Sequence, residues 1–325
     1  MKKGLLITVL LMIALFLAGA VLIVIGIVRG GSLAFKVDFM NQRVTTSKDR
    51  ELLKGEVETD SFDAIYIDVD AADFSIVEGD TYMVKYQLYD DTEPVIEVKD
   101  GVLNVKRLMD GKSGFIGFDF AGFNDPKEKT FVELTVPKGT SFGKSSIIVN
   151  AGSVKVSGHD FAELNLEVDA GDIDFSDMTT DSFDINIDAG DITLKNINTG
   201  SLTIDNDAGA VNLDTVTADT FEADNNFGAI TINKCELKDI SLSTDTGDID
   251  IKELRCDKAS IEADVGAIDL NMIGEEADYD YELATDAGNV KVAGNVKGDE
   301  YQTNNGKSKQ IKIENDCGDI TITFN

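Results

Sequence analysis

The chain has 325 residues, with 60 acidic against 29 basic side chains and a formal net charge of −31. Such an acidic surface excludes a basic phosphate-binding face, and with it nucleic acid as a partner. A single histidine, His159, and three cysteines, Cys235, Cys256 and Cys317, exclude zinc centres built on those ligands; a Ser-His-Asp site would hang on His159, beside which no nucleophile-elbow pattern stands.

Taken in chain order, residues 5–28 form a run of 24 residues without a charge. As a helix it spans about 36 Å, longer than the roughly 30 Å of a bilayer's hydrocarbon core. Lys2 and Lys3 precede it and Arg29 follows, which orients the N-terminus to the cytoplasm. The expected layout is a cytoplasmic stub at 1–4 and a transmembrane helix at 5–28, with everything beyond it extracytoplasmic at the cell membrane. A cleaved signal peptide ending near Ala20 is the competing reading, but the apolar run continues past that point. Residues 29–60 read as a polar connector, with room for a short helix.

Residues 61–146 carry alternating, strand-like runs at 62–69, 74–77, 83–88, 95–98, 102–107 and 131–136. They are expected to cap the first end of the repeat that occupies the rest of the chain. Residues 68–76 look like a decayed copy of that repeat, with Ala72 in its glycine slot. The segment 114–123 holds Phe115, Phe118, Phe120 and Phe123. These fold over the end of the core or, if exposed, form an apolar patch for partner contact.

Residues 147–325 are a repeat. Gly152, Gly171, Gly190, Gly209, Gly228, Gly247 and Gly266 recur every 19 residues, and Gly288 and Gly318 come after them at longer intervals. Counting from each glycine, positions two and four are apolar (Ile173 and Phe175, Ile192 and Leu194), as are seven (Met178, Ile197, Val216), twelve and fourteen (Phe183 and Ile185, Leu202 and Ile204). This is period-two strand patterning, with a turn between positions four and seven. No coil can bury its apolar row alone; stacking at about 4.8 Å joins the rows into one core. The predicted fold is all-β, a parallel β-helix or β-roll solenoid with a 19-residue coil, nine coils making a rod of roughly 45 Å. The glycine is expected on an inward slot, where a side chain would crowd the core and where φ above zero and close backbone approach are tolerated. The small or apolar residue before it (Ala170, Ala189, Cys317) is read as inward too. Cys235 and Cys256 lie two residues out of phase on adjacent coils, so all three cysteines read as packing residues. His159, at position seven of the first coil, reads as a packed corner residue. Insertions at 274–281 and 295–310 are expected as loops on one face, with Phe324 closing the far end.

Two residues before each glycine stands Asn150, Asp169, Asp188, Asp207, Asn226, Asp245, Asp264, Asp286 or Asp316, and one residue after it Asp172, Asp191, Asp248 and Asp319 add a second acidic column. Neighbouring carboxylates at that spacing repel by about 1 kcal/mol in water. Either each Asp side chain of the ladder accepts a hydrogen bond from turn N–H groups beside the glycine, as the two asparagines suggest, or Asp169, Asp172, Asp188, Asp191, Asp207, Asp245, Asp248 and Asp264 hold Ca²⁺. Carboxylate pairs also admit a polysaccharide-cleaving enzyme, though a catalytic pair should break the repeat. No cofactor is called for beyond that Ca²⁺.

The phrases Asp-x-Gly-Asp-Ile-x-Ile, the strand opening at 62–69 and the Val136-Pro-Lys-Gly-Thr140 turn, behind an N-terminal apolar segment, make the chain resemble the bacterial β-strand-repeat family of unknown function. That family includes adhesin-like, LiaG-like envelope proteins of Gram-positive bacteria. The resemblance implies a β-solenoid in the cell envelope and its stress response, and supplies no catalytic residues. The expected function is non-catalytic binding or scaffolding at the membrane, toward an envelope protein or cell-wall polymer.

Overall fold

The computed structural model describes residues 34–38, 43–46, 52–89, 93–106, 115–119 and 129–325. The chain forms two compact units. The first contains one antiparallel sheet in which Ala34–Asp38 pairs with Arg43–Thr46 on one side and Phe115–Asp119 on the other. Residues 29–60 are therefore not a plain connector, because strands occupy Ala34–Asp38, Arg43–Thr46 and Leu52–Glu58. Phe115 and Phe118 lie on a strand of this sheet, while Phe120, Phe123 and the apolar run 5–28 fall outside the described residues. Among the described residues no helix is long and apolar enough to cross a membrane.

The second unit is a stack of parallel coils. Between Phe142–Ala151 and Lys258–Val265, neighbouring coils pair residues 19 positions apart, as in Ile192↔Val211 and Leu202↔Phe221. Along Ile173–Ala189 the buried positions are 173, 175, 178, 180, 183, 185 and 187. The alternation slips after 175, after 180 and again before Gly190, so each coil has three edges rather than two strands. The first slip matches the turn predicted between positions four and seven: Asp177, Asn196, Lys234 and Glu253 occupy it in the left-handed region, with φ between 52 and 55°. The second is masked in sequence because position nine is Thr180 and Thr199, polar yet buried. We call the edges the broad face (residues 182–189 and equivalents), the narrow face (178–180) and the third face (173–176).

The repeated glycines serve close backbone approach and positive φ, as expected, but not an inward slot crowded by the core. A β-carbon on Gly171, Gly190, Gly209 or Gly228 would fall inside the carbonyl oxygen of the glycine one coil back. The backbones meet there, away from the apolar core, at φ of 144 to 152°, a region essentially reserved for glycine. The residues just before the glycines are exposed, not inward: Phe227 is 59 % and Val265 49 % exposed, and Cys317 is an exposed free thiol. Cys235 and Cys256 are buried free thiols; burial pushes them up to about 11 and about 12, so they pack as small protonated hydrophobes.

Both ends depart from chain order. Glycine-turn contacts run from Ala72 to Gly152, onward to Gly266, then to Gly318 and last to Gly288. Thus Lys309–Cys317 lies between Lys258–Val265 and Tyr279–Ala287, parallel to both. Phe324 does not close the stack: it pairs with Met272 and packs against Tyr279, inside the outermost coil. At the other end Ala64–Ala71 is flanked by Val102–Lys106 and Phe142–Ala151. Each outermost coil carries antiparallel partners. Met83–Tyr89 pairs with Phe131–Pro137, and Val95–Lys99 with Val102–Lys106. Asn295–Gly298 pairs with Val290–Val292, and Glu300–Gln302 with Tyr279–Ala287. Residues 295–302 are thus an end cap rather than a lateral loop, and they cover a parallel edge that would otherwise template association.

Candidate functional site

The acidic columns divide by what they bond. Just after the glycine, each carboxylate reaches the backbone of a neighbouring coil: Asp172 accepts from the N–H of Asp191 (3.1 Å), Asp191 from Ala210 (2.8 Å), Asp248 from Ala267 (2.9 Å) and Asp319 from Asn289 (2.9 Å). Charge-assisted bonds of this kind offset the repulsion along the column. The expected turn role is carried by this column, and it runs between coils. In the column before the glycine, Asn226 donates to Asp207 (2.8 Å) and Asn150 to Asp70 (3.2 Å). Asp169, Asp188, Asp245 and Asp264 are exposed at the edge of the broad face. Among the described residues no three His, Cys, Asp or Glu side chains converge on a common point.

One inward column was not singled out in sequence. Three residues before the glycine stand Asn206, Asn225, Thr244, Thr285 and Asn315, all buried. Asn206 donates to the Gly209 carbonyl (3.1 Å) and to Asn225 (2.6 Å), and Asn225 donates to the Gly228 carbonyl (2.7 Å). Asn315 and Thr285 serve the carbonyls of Gly266 and Gly318, each at 2.9 Å. These side chains fix the corner at which the coils approach most closely. The signal was present as position sixteen, in phase with twelve and fourteen, but polar residues there do not register as core. His159 is buried, with Nδ1 3.1 Å from the Thr140 carbonyl and its ring beside Phe142, a packed residue as expected.

The broad face is strongly acidic. Its outward positions include Glu167, Asp184, Asp205, Glu222, Asp224 and Asp245; Asp205 and Asp224 stand directly in register on neighbouring coils, while Asn186, Thr203, Ser241 and Ser243 separate the others. Partial burial and the carboxylates of Asp205, Asp245, Asp207 and Glu222 hold the Asp224 carboxyl above its ordinary range. A surface of this kind gains free energy from any contact that brings positive charge.

A stack of three-edged parallel coils, joined at glycine corners and sealed by antiparallel strands, is the setting in which the family match falls: residues 62–323 fit the model described as Toastrack DUF4097. The chain belongs to the DUF4097 toastrack family. This toastrack chain matches no curated protein. Among solved structures it is similar to a putative adhesin from Bacteroides fragilis NCTC 9343, at 14% identity over 85% of this chain and 97% of that one, with a TM-score of 0.43. A putative adhesin from Parabacteroides merdae ATCC 43184 matches at 14% identity over 85% and 96%, with a TM-score of 0.40. A putative lipid binding protein from Parabacteroides distasonis ATCC 8503 matches at 14% over 83% and 96%, with a TM-score of 0.39.

Proposed function

We propose that this toastrack chain is a non-catalytic binding module of the cell envelope, tethered by residues 5–28 and presenting its broad acidic face to a cationic partner. The carrying observation is the row of exposed carboxylates on the broad face, centred on Asp224, which Asp205 faces in register from the coil before and Asp245 flanks from the coil after; partial desolvation and these neighbours hold its carboxyl above the ordinary range. Like charges stacked on a rigid sheet cannot move apart, so a basic protein segment laid across them relieves repulsion that the fold itself retains. The buried thiols and the packed histidine leave the core without a poised nucleophile–base pair, which favours binding over turnover. The apolar run 5–28, flanked by Lys2, Lys3 and Arg29, supports the tether and an extracytoplasmic stack.

The test is binding of the full-length chain to a polylysine peptide across a salt series, in parallel with the triple variant Asp205→Asn, Asp224→Asn, Asp245→Asn. Affinity should fall steeply with salt, and the triple variant should bind at least tenfold more weakly. Equal binding by both chains would remove this reading. The competing cation reading, in which Asp169, Asp188 and their neighbours hold Ca²⁺, is separated by melting in chelator and then in Ca²⁺ and Mg²⁺. A rise specific to Ca²⁺ would favour the metal.

A further inference from the structure

We propose that the glycine corner carries a docking ridge for a basic amphipathic helix, centred on Phe227 and Val265. The inference rests on the cationic partner proposed above and gives it an apolar anchor. Four large apolar side chains are exposed among the described residues: Val95, Phe227, Val265 and Val296. Val95 and Val296 lie on antiparallel strands of the two end caps, Val95–Lys99 and Asn295–Gly298. Phe227 and Val265 stand instead in the body of the stack, on one column, each just before a glycine. The register of that column runs Ala208, Phe227, Thr246, Val265, Cys317, one residue per coil. All five are exposed. Two coil steps separate Phe227 from Val265, about 9.6 Å.

The repeat departs from its own rule beside these two residues. One residue after the glycine, Asp191 and Asp248 accept the N–H groups of Ala210 and Ala267. After Gly209, Gly228 and Gly266 that position is itself alanine, Ala210, Ala229 and Ala267, with no side-chain acceptor to offer. A charge-assisted bond between coils is given up at three turns around Phe227 and Val265. Stability does not explain that loss, nor does it explain a phenylalanine left in solvent. Both departures enlarge the same apolar patch, and an exposed apolar patch with a polar rim marks a contact surface.

The rim selects the occupant. On one side Asp207, Asp245, Asp264 and Asp316 are exposed, and on the other Asp191, Asp248 and Asp319. No lysine or arginine stands within three residues of Gly209, Gly228, Gly247 or Gly266. A second copy of this chain, with its net charge of −31, and an anionic lipid surface would both meet like charge here. A segment with an apolar centre and basic edges meets a complementary group on all three rows. Helical form fits the spacing. Apolar side chains two turns apart on one helix face are separated by about 10.8 Å, against about 9.6 Å between Phe227 and Val265. Lysines or arginines flanking that face then reach the carboxylates on either side.

The chain has no tryptophan, so a tryptophan carried by a peptide reports its own contact. The full-length chain is titrated with three peptides of equal charge. One is a lysine–leucine peptide with its leucines and one tryptophan at helical spacing; one is a scrambled peptide of the same composition; one is polylysine with a terminal tryptophan. The helically patterned peptide should bind at least tenfold tighter than the other two, with its emission shifted to the blue. The double variant Phe227→Ser, Val265→Ser should remove the advantage and the shift and leave polylysine binding unchanged. Both positions are exposed, and an unchanged melting temperature would show intact folding. If that variant melts low, Ala229→Asp carries the same test, because it only installs the residue that Asp248 supplies one coil on. Equal binding of the patterned and scrambled peptides, or an advantage indifferent to these substitutions, would overturn the inference. Polylysine keeps the two readings apart. If it binds while the helical advantage is absent, the ridge falls and the acidic face stands; if none of the three peptides binds, both fall.

Discussion

Thr215 holds a β-branched side chain at φ 60°, in the slot where its equivalents are Asp177 and Asn196. Asparagine tolerates the left-handed region and threonine does not. Thr215→Asn should therefore raise stability by about 1 kcal/mol, read as a higher denaturant midpoint at unchanged slope. A lower midpoint would mean that the hydroxyl does more than fill the corner. Gly209→Ala makes the opposite case. Its β-carbon would meet the Gly190 carbonyl and its φ is 147°, so a loss of about 3 kcal/mol or more is expected. Asn225→Ala strips a partner from the Gly228 carbonyl and from Asn206, and should cost about 2 kcal/mol; a cost near zero would mean that water replaces the ladder. The need for glycine at the corner was legible in its period, and close backbone approach was among its expected causes, but the partner was not. Period-two reading assigns a position to core or solvent, and does not say that the glycine one coil back is what the backbone meets. For the same reason Cys317 read as inward, although the chain has already begun to turn at that point.

At the scale of elements, alternation located the six strands that the stack draws from residues 62–137, and their neighbours stayed hidden. Which strands lie side by side depends on pairings between residues far apart, such as Lys258 with Gln310, and no local pattern encodes them. The cap at 295–302 read as a loop because Asn295–Gly298 and Glu300–Gln302 are short and mostly polar, as edge strands need to be. Replacing residues 295–302 with a glycine-serine segment of equal length keeps the connection and removes the pairing. Light scattering should then show concentration-dependent association through the bared Tyr279–Ala287 and Val290–Val292 edge. A variant that stays monomeric would show that the edge is protected some other way. The candidate surfaces were legible only in part: the acidic columns stood out, whereas the apolar ridge at Phe227 and Val265 was hidden, because the residue before each glycine read as inward.

At the scale of the molecule, charge sets the response to pH. Asp224 has its folded value raised above 3.8 by burial and neighbouring carboxylates, so the folded state is penalised at neutral pH and relieved as pH falls through that raised value. Asp280, by contrast, accepts the N–H groups of Asn305 (2.7 Å) and Lys307 (2.8 Å), which lower it below 3.8. Its contribution is present above 3.8 and is lost only as pH falls below that through its lowered value. Calorimetry should therefore find the highest melting temperature at an acidic pH above 3.8 rather than at neutrality. A steady fall from pH 7 downward would contradict the sign. The placement of Lys309–Cys317 between two earlier strands also bears on how the chain is made. At about 5–20 residues per second, the ribosome completes this strand roughly 1–5 s after Val290–Val292. Until then the outermost coil has no partner, and it must wait beside the stack or be displaced from it. The late strand acts as a keystone, and the interval before it arrives is when the nascent chain is most open to capture by another copy of itself.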